Sequence, residues 1–478
     1  MMEGEEKNCN VLIIGGGPAG LATALMLAKR GWTDIIVLEK RPSADYYEPD
    51  KSFNYSIDGR GQKLIDLLGL TQQLKVGVPS TEFAITRIDP QGKSKTINLP
   101  QVDPNRKTAY WLPRKTFLSL LDREIKRNWQ NQIKIQFETD CIELEREPLR
   151  VLAATNQRFC QFKPKLLVGC DGLYSLVRRT LAQWEGEASD RFIMQEYPSP
   201  SSGLRYKVLT LPPQFPLDLE GNQRSVCDMA YSIRGAFQDP QRAVSLGLLP
   251  VKDPSLPRTA NLITNPEHQL WKLKSGAEVY DFLVKAFPQL PISQIVSVQE
   301  AERFAKSEGG RFPIPQYCRG AYWLLSQQSS DHGVIILGDA VHCFPPDIGQ
   351  GVNSALEDIY VLDQVLSEND NHLAQALPEY EIKRAPDTKA LVRLAQVAYP
   401  WQYNQNPTRR RIWSINFFLR LGLSRLLPGI ISPPAFFLIQ DEQLQYQEIW
   451  RKAQRTTWSL YVVGLLLIGL LIWKNRFS

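Results

Sequence analysis

The residues best placed to do chemistry in this chain are glycines and carboxylates. Gly15-x-Gly17-x-x-Gly20 follows the apolar run Cys9 to Ile14, and Glu39 comes 19 residues after Gly20 at the end of a second apolar run. A glycine at 15 permits a tight turn. One at 17 lets backbone approach a pyrophosphate, and one at 20 lets the next helix pack close to a sheet. That helix opens at Pro18-Ala19, so its free N–H groups and partial positive charge are available to phosphate. Glu39 is placed to accept hydrogen bonds from ribose hydroxyls, and Lys40 and Arg41 beside it are further cofactor-binding candidates. A glycine-rich turn with no ligand is the competing reading of such a motif standing alone.

Two later stretches extend the pattern. Gly169-Cys170-Asp171-Gly172 follows a buried strand, and Leu337-Gly338-Asp339-Ala340 follows another and leads through His342 and Pro346 to Gly349-Gln350-Gly351-Val352-Asn353. An NAD site is complete within one βαβ half. A ligand that draws on residues 15, 171 and 339 is long and extended, which fits FAD. Taken singly, Asp339 also reads as a cap, Asp171 as a local Asp-Gly turn and His342 as a packed histidine.

Other chemistries have little support. The seven cysteines are odd in number and form no C-x-x-C, which argues against a disulfide framework, a structural zinc site and a dithiol redox centre. The four histidines are scattered, so no metal site is expected. The composition, 43% apolar and 22% charged over 478 residues, is that of a globular protein with real cores. The net charge of +6 lies in the tail: from residue 401 onward there are ten Lys/Arg against three Asp/Glu. Interleaved with apolar residues, a basic tail suits anionic lipid better than nucleic acid. The acidic start has no apolar core and reads as neither a signal nor a transit peptide.

The elements that must position these residues follow from periodicity. Cys9 to Ile14, a helix from Pro18 to Lys29 with Leu21, Leu25 and Ala28 on one face, and Ile35 to Leu38 make a βαβ unit. Helix is expected at 60–70, at Lys115 to Trp129 and at Gly351 to Leu366, and parallel strands at Lys165 to Val168 and Val334 to Leu337. From 185 to 325 short strands and many prolines predict a separate, mainly antiparallel layer. Residues 375–455 read as largely helical, with breaks at Pro400, Pro407, Pro428 and Pro433-Pro434.

These three motifs, in this order, resemble those of the group A flavoprotein monooxygenases, and within them the kynurenine 3-monooxygenase family. Ser52 to Ile57, Val168 to Arg178, Leu337 to Asp358 and a hydrophobic C-terminus carry the likeness over nearly the whole chain. The resemblance implies an α/β fold. A Rossmann-like FAD-binding domain (9–75, 112–182 and 326–380) would carry an inserted antiparallel β-sheet substrate domain (76–111 and 183–325). A helical C-terminal region (381–455) would end in a transmembrane helix (456–473). It implies that Asp339 bonds the ribityl chain and that Arg114 reaches the phosphates or ribityl region. It further implies that the Cys141 backbone meets the adenine, and that Gly349, Gly351, Val352 and Asn353 lie near the flavin ring. Asp171 belongs to a motif linked to both FAD and reduced nicotinamide. Pro346 and Gly349 are expected beside the ring, and no side chain is certain to be catalytic. A surface ion pair is the competing reading of Arg114. The implied activity is hydroxylation by NAD(P)H and O2 through a flavin C4a-hydroperoxide, the cofactor carrying the hard step. A flavin-dependent reductase or epoxidase acting on lipid or isoprenoid, and a non-catalytic membrane flavoprotein, are the alternatives.

The substrate departs from the pattern. The kynurenine enzymes hold the substrate carboxylate with an arginine and a tyrosine after a Gly-x-Pro turn, here Gly77-Val78-Pro79. The arginine falls at about Phe83, the tyrosine within Ile97 to Pro100, and a later asparagine at about Ala398, beside Tyr399. A phenyl ring cannot make the charge-assisted pair, so a less polar aromatic or isoprenoid-like substrate is expected unless Arg87 or Lys93 substitutes.

In the tail, Thr456 to Trp473 is uncharged for 18 residues between Arg451, Lys452, Arg455 and Lys474, Arg476. As a helix it spans roughly 27 Å, about one hydrocarbon core, with Trp458 and Trp473 near the two ends. This predicts a single-pass lipid anchor with the catalytic body in the cytoplasm. Arg409 to Leu423 reads as a basic, apolar-faced helix in the membrane interface or, alternatively, as a cap on the substrate domain.

Overall fold

The computed structural model describes residues 6–51, 53–80, 84–98, 105–156, 158–239, 241–325, 331–403 and 405–477. Ser52, Phe83 and residues 99–100 lie outside that set.

Apolar runs become a central parallel sheet. Its strands include β1 (Glu6–Ile14), β2 (Ile35–Leu38), β3 (Ile133–Gln136), β4 (Phe159–Gly169) and β5 (Gly333–Ile336), in the order β5, β4, β1, β2, β3. Tyr322–Leu324 adds an antiparallel edge strand beside β5, and Thr139–Glu145 and Arg150–Thr155 form a meander off β4. Both faces of the sheet are covered, which is why its strands are apolar throughout and do not alternate. Val11, Ile13, Val37 and Val168 pack on one side against α1 (Pro18–Lys29), α2 (Gly59–Leu68), α3 (Gly351–Glu368) and α4 (Leu373–Val397). Leu12, Ile36, Leu167 and Ile336 pack on the other against the meander and the helix Leu176–Glu185. α1 is buried from Gly20 through Ala28, so it is apolar on nearly every side rather than on one stripe.

The second layer is a seven-stranded sheet containing Ala84–Ile88, Ser94–Asn98, Arg205–Leu211, Tyr231–Arg234, Ser245–Leu248, Arg258–Thr264 and Gly310–Arg311. It is antiparallel except where Tyr231–Arg234 runs parallel to Ala84–Ile88. One face, with Ile88, Ile233, Leu246 and Leu262, packs on helices Gly276–Ala286, Ile292–Ile295 and Val298–Lys306. These helices lie within the stretch expected to be strands. Each of the two longer ones starts at a serine, Ser275 or Ser297, whose hydroxyl accepts an N–H of the first turn. The alternate residues Arg87, Ser232, Arg234, Asn261 and Tyr206 point to the opposite face.

The C-terminal region is helical, and its interruptions coincide with the expected prolines: α4 ends at Val397, α5 spans Pro407–Leu426 and α6 spans Tyr446–Phe477. Pro378 and Pro386 are accommodated inside α4. α5 packs Trp413 and Phe417 against Tyr399 and leaves Ile412, Ile415 and Phe418 exposed on its other side. Among the described residues, no helix is long and apolar enough to cross a membrane. The expected span 456–473 includes Leu467, Leu470, Leu471 and Ile472, whose side chains fall outside the described residues.

Candidate active site

Strand register brings the three motifs together. Gly169 at the end of β4 pairs with Ile14 of β1 on one side and Ile336 of β5 on the other, and Ile14 also pairs with Leu38 of β2. The turns at 15–17, 170–172 and 337–339 therefore leave one line of carboxyl strand ends, the place where open α/β sheets bind ligands.

The first turn is held by backbone. Gly15, at φ +102°, donates its N–H to Leu38 O at 2.8 Å, and a Cβ there would stand 2.4 Å from Cys170 O. A Cβ on Gly20 would stand 1.8 Å from Gly15 O. A Cβ on Gly17 would meet no protein atom within 4 Å, and no side chain caps α1 there. Glu39 is buried, and its Oε2 accepts Gly16 N–H at 2.7 Å while Oε1 accepts Arg41 N–H at 2.8 Å. It thus braces the glycine turn, with lone pairs remaining for a ribose hydroxyl. Lys40 is exposed at the end of the same strand.

Around the second turn, Asp171 Oδ2 accepts the N–H groups of Leu176 (2.6 Å) and Val177 (3.2 Å), capping the following helix. Its Oδ1 is buried without a partner among the described residues. Cys141 lies beside this carboxylate. Burial, then Asp171, pushes the Cys141 thiol up to about 12, which leaves it unreactive. All seven cysteines are free thiols.

At the third turn Asp339 is exposed on a 3-10 turn walled by protein, and that enclosure raises its carboxyl above the usual range, opposed by His342 and aided to a smaller extent by Asp358. Nearby Tyr55, on the strand Asn54–Ile57, carries a phenol that burial pushes up to about 12. Arg114 hydrogen-bonds Tyr55 and stands 3.8 Å from Glu48, which also takes Arg41 Nε at 2.5 Å. Tyr55 therefore sits between two expected site residues, Arg114 and Asp339. The Ser52 to Ile57 stretch singled it out only as part of a motif, without a role.

The loop before α3 is built from below. Gly349 is left-handed at φ +64°, Gly351 starts α3, and a Cβ on either would meet nothing within 4 Å. Val352 is buried in the core. The buried Asn353 side chain is committed to structure: Nδ2 donates to Ser56 O and Gly349 O, and Oδ1 accepts Asp58 N–H. Gln350 is held in turn by Asp58 and Tyr446.

Beneath both loops lies a buried ionic network that sequence reading missed. Arg384 donates to Asp358 (2.6 Å), Glu357 (2.9 Å) and Asp387 (3.0 Å), and Arg60 donates to Glu357 (2.6 Å). Asp358 Oδ2 accepts Gly338 N–H, and His342 Nε2 lies 2.7 Å from it. Burial alone would raise the Asp358 carboxyl, but His342 and Arg384 outweigh it and hold it below the usual range. His342 is a packed residue, stacked on Phe344.

A second missed group follows Pro346 on the turn Pro346–Ile348. Asp347 is buried and its Oδ2 has no partner among the described residues. Gln402 Nε2 reaches its backbone O at 3.0 Å. Burial pushes the carboxyl up to about 7, partly offset by the nearby Ser201 and Tyr403 hydroxyls. Tyr403 meets Phe312 edge-on, and Phe312 meets Tyr206 of the seven-stranded sheet. Beyond Tyr403, Tyr399 lies within electrostatic reach of Arg87 and Arg410.

The crevice fits FAD on its own evidence. Gly17, Gly349 and Gly351 leave room where side chains would intrude, two helix N-termini are uncapped by side chains, Asp339 is accessible and Asp171 Oδ1 is unsatisfied.

The FAD binding domain family model matches residues 8–196 and 324–395, more than half of the chain. Kynurenine 3-monooxygenase of Salinispora arenicola is 24% identical over 456 residues, covering 93% of this chain and 90% of that protein. The Sus scrofa kynurenine 3-monooxygenase is 24% identical over 478 residues, covering 96% and 90%. Among solved structures, PqsL of Pseudomonas aeruginosa, a probable FAD-dependent monooxygenase, superposes with TM-score 0.53 at 20% identity over 86% of this chain and 100% of that one. Aklavinone-11 hydroxylase, solved with FAD and aklavinone, superposes with TM-score 0.59 at 18% identity over 86% and 71%. These structures share the fold. The chain belongs to the FAD binding domain family and is an FAD-dependent aromatic monooxygenase similar to kynurenine 3-monooxygenase.

Proposed function

We propose that the protein hydroxylates an aromatic small molecule held between the Pro346–Ile348 turn and the free face of the seven-stranded sheet. The observation that carries this is the convergence of three turns from adjacent strand ends below a wall of Tyr206, Phe312 and Tyr403. When bound, FAD supplies electron transfer from NAD(P)H and the activation of O2. Asp339 and Arg114 would hold its ribityl and phosphate region, and the α3 N-terminus would present N–H groups to the ring's polar edge. The aromatic wall excludes water. Asp347, buried beside Pro346, can keep a proton on its carboxyl near neutral pH. We also propose the division into a discontinuous FAD-binding domain, an inserted substrate domain and a helical C-terminal region with the boundaries expected above.

The main reading of the substrate is an apolar aromatic ring. One observation favours a second reading, an aromatic compound that bears a carboxylate on a side chain. Arg234, Arg410 and Tyr399 come from three elements to the neighbourhood of Arg87, and no acidic group acts on Arg87 among the described residues. Burial, then Arg234, pulls the Arg87 pKa down, and an anion would relieve both. The S. arenicola and S. scrofa relatives are named for kynurenine, which carries such a carboxylate.

The exposed Trp458, Tyr461, Leu465 and Ile468 on α6, with Ile412, Ile415 and Phe418 on α5, support a C-terminal lipid anchor; a catalytic body on the cytoplasmic side is part of the same proposal. The decisive assay measures NAD(P)H oxidation by the flavin-loaded protein with kynurenine and with uncharged aromatic compounds, following product by mass spectrometry. Stimulated oxidation coupled to a product one oxygen heavier is expected. Coupled turnover of kynurenine, weakened in KM by Arg87→Gln, selects the carboxylate reading. Absence of coupling with every aromatic compound refutes the proposal.

A further inference from the structure

A cleft of about 410 Å³ opens between α4 and the first turns of α6, in the size range of small-molecule sites. It shares no residue with the cofactor crevice or with the surroundings of Asp347. Lys389, Arg393 and Arg451 line it, and no acidic residue does. Arg393 lies 4.9 Å from the Tyr197 ring centre and 5.3 Å from that of Trp450, so its guanidinium is held between two aromatic faces. Arg451 donates to Gln447 Oε1 at 2.5 Å. The nearest acid along α4, Asp387, is occupied by Arg384 and by Gln447 N–H. Among the described residues neither Lys389 nor Arg393 has an acidic partner. Three cations on one cleft repel one another unless an anion joins them.

The second observation lies in α6 itself. Gln447, Trp450, Arg451 and Gln454 close the cleft from one face of the helix, at spacings of three and four residues. The same face continues as Trp458, Tyr461, Leu465 and Ile468. Trp458 is 69% exposed, Tyr461 63% and Leu465 69%. Along this face the order is polar with one cation, Arg451, then aromatic, then aliphatic, advancing about 1.5 Å per residue, and α4 adds Lys389 and Arg393 at the polar end. A phospholipid presents its matching parts in the same order: phosphate, ester region, acyl chain.

We propose that this cleft binds the phosphate of one anionic phospholipid whose acyl chains lie along the Trp458 to Ile468 face. The proposal rests on the membrane reading above and deepens it. The anchor becomes a two-part device, in which an apolar helix supplies insertion and a cationic cleft at its root selects the lipid. The same phosphate chemistry is offered by a free phosphate. The aromatic walls and the continuous apolar face favour the lipid.

The test uses full-length, flavin-loaded protein with two kinds of vesicle, phosphatidylcholine alone and phosphatidylcholine containing phosphatidylglycerol. Flotation measures membrane attachment, and native mass spectrometry of detergent-extracted protein measures retained lipid. Wild type should float with both vesicles and retain one phosphatidylglycerol. The double variant Lys389→Gln/Arg393→Gln should float with phosphatidylcholine as wild type does, keep its flavin, and retain phosphatidylglycerol about 10- to 30-fold less, the scale for two cations near an anionic headgroup. If wild type floats with neither vesicle, the membrane reading itself fails. If it floats but retains no phosphatidylglycerol, or the double variant retains as much, the lipid site is refuted and the anchor stands. If millimolar inorganic phosphate displaces the retained lipid completely, the cleft is a simple anion site and the assignment to lipid falls.

Discussion

Tyr446, at the start of α6, donates its hydroxyl to Gln350 Oε1 at 2.7 Å, and Gln350 Nε2 donates onward to Asp58 Oδ2 at 2.7 Å. The C-terminal helix thereby grips the loop that opens α3, 96 residues earlier in the chain. Tyr446→Phe keeps the ring beneath Arg60, whose guanidinium lies 4.0 Å from its centre, and removes only the hydroxyl. A buried amide oxygen left unpaired costs about 1–3 kcal/mol. The variant should unfold at lower denaturant and release FAD faster, followed by recovery of flavin fluorescence. Unchanged stability and flavin release would show that Gln350 needs no such support.

Arg384 pairs with three carboxylates at once, Glu357, Asp358 and Asp387, in a buried site. Truncating one partner of a buried ion pair leaves uncompensated charge, at about 3–5 kcal/mol. Arg384→Gln should lower the melting temperature steeply. Arg384→Lys should recover little, because an ammonium cannot reproduce the forked geometry that reaches all three acids. A lysine variant as stable as wild type would mean that charge alone, without the fork, holds the network.

Asp347 makes stability depend on pH. Its folded carboxyl is pushed up to about 7, above the ordinary value of about 3.9 in an unfolded chain. The folded state therefore binds the extra proton between these values. Its contribution is fully present below about pH 4 and is lost as pH rises through about 7, at up to about 1.4 kcal/mol per pH unit. Asp58, pushed up to about 6, adds a parallel loss, so the informative quantity is a difference. The melting temperature of wild type minus that of Asp347→Asn should fall from pH 5 to pH 8. A flat difference would place the Asp347 titration outside this window.

Much of the cofactor crevice is legible in the sequence because each turn is encoded locally. Gly15, Gly172 and Gly338 adopt the positive φ that glycine favours, and each lies within three residues of the end of a buried strand. What brings the turns together is also readable, since parallel strands fully buried on both faces place their ends side by side. The groups missed are those whose partners are remote. Arg384 and Asp358 are 26 residues apart, Tyr446 and Gln350 are 96 apart, and nothing in either neighbourhood announces the other. The helices at 276–306 were hidden for a different reason: prolines and short β-branched runs on both sides drew the reading to strands, although Val279, Phe282, Leu283 and Ala286 bury one helical face, as do Ala301 and Phe304. Phe83, on which the expected substrate departure rests, lies outside the described residues, whereas Arg87, offered as its substitute, faces the pocket side of its sheet.

The glycine motif yields a prediction that separates folding from binding. Ala at 20 would drive its Cβ against the Gly15 carbonyl, a backbone atom that cannot move aside. Ala at 17 meets no protein atom, and φ −76° there suits any residue. Gly20→Ala should therefore unfold or fail to accumulate. Gly17→Ala should melt within about 1 kcal/mol of the flavin-free wild type yet bind FAD weakly, because its methyl group would occupy the space where backbone must approach phosphate. If Gly17→Ala copurifies with a full complement of flavin, the pyrophosphate does not pass that residue.

The tail should be separable from catalysis, and the structure dictates where to cut. Tyr446, Ile449 and Ala453 belong to a core with Leu391, Leu394 and Ile439. Thr456 is buried and its Oγ1 accepts Ser432 N–H at 2.9 Å, and Thr457 Oγ1 accepts from Arg420. A deletion starting at residue 450 would tear out Trp450, Ala453 and both threonines, exposing apolar surface and leaving the Arg420 guanidinium without two of its partners, Ala453 O and Thr457 Oγ1. A deletion starting at Trp458 spares all of these contacts. The longer truncation should lose stability and, through the Tyr446 and Arg60 contacts, flavin. The shorter one should float with no vesicle and keep FAD at full stoichiometry, because every residue of the three turns and of the network beneath them lies before the cut. Loss of flavin on removing 458–478 alone would mean that this tail helps to build the active site.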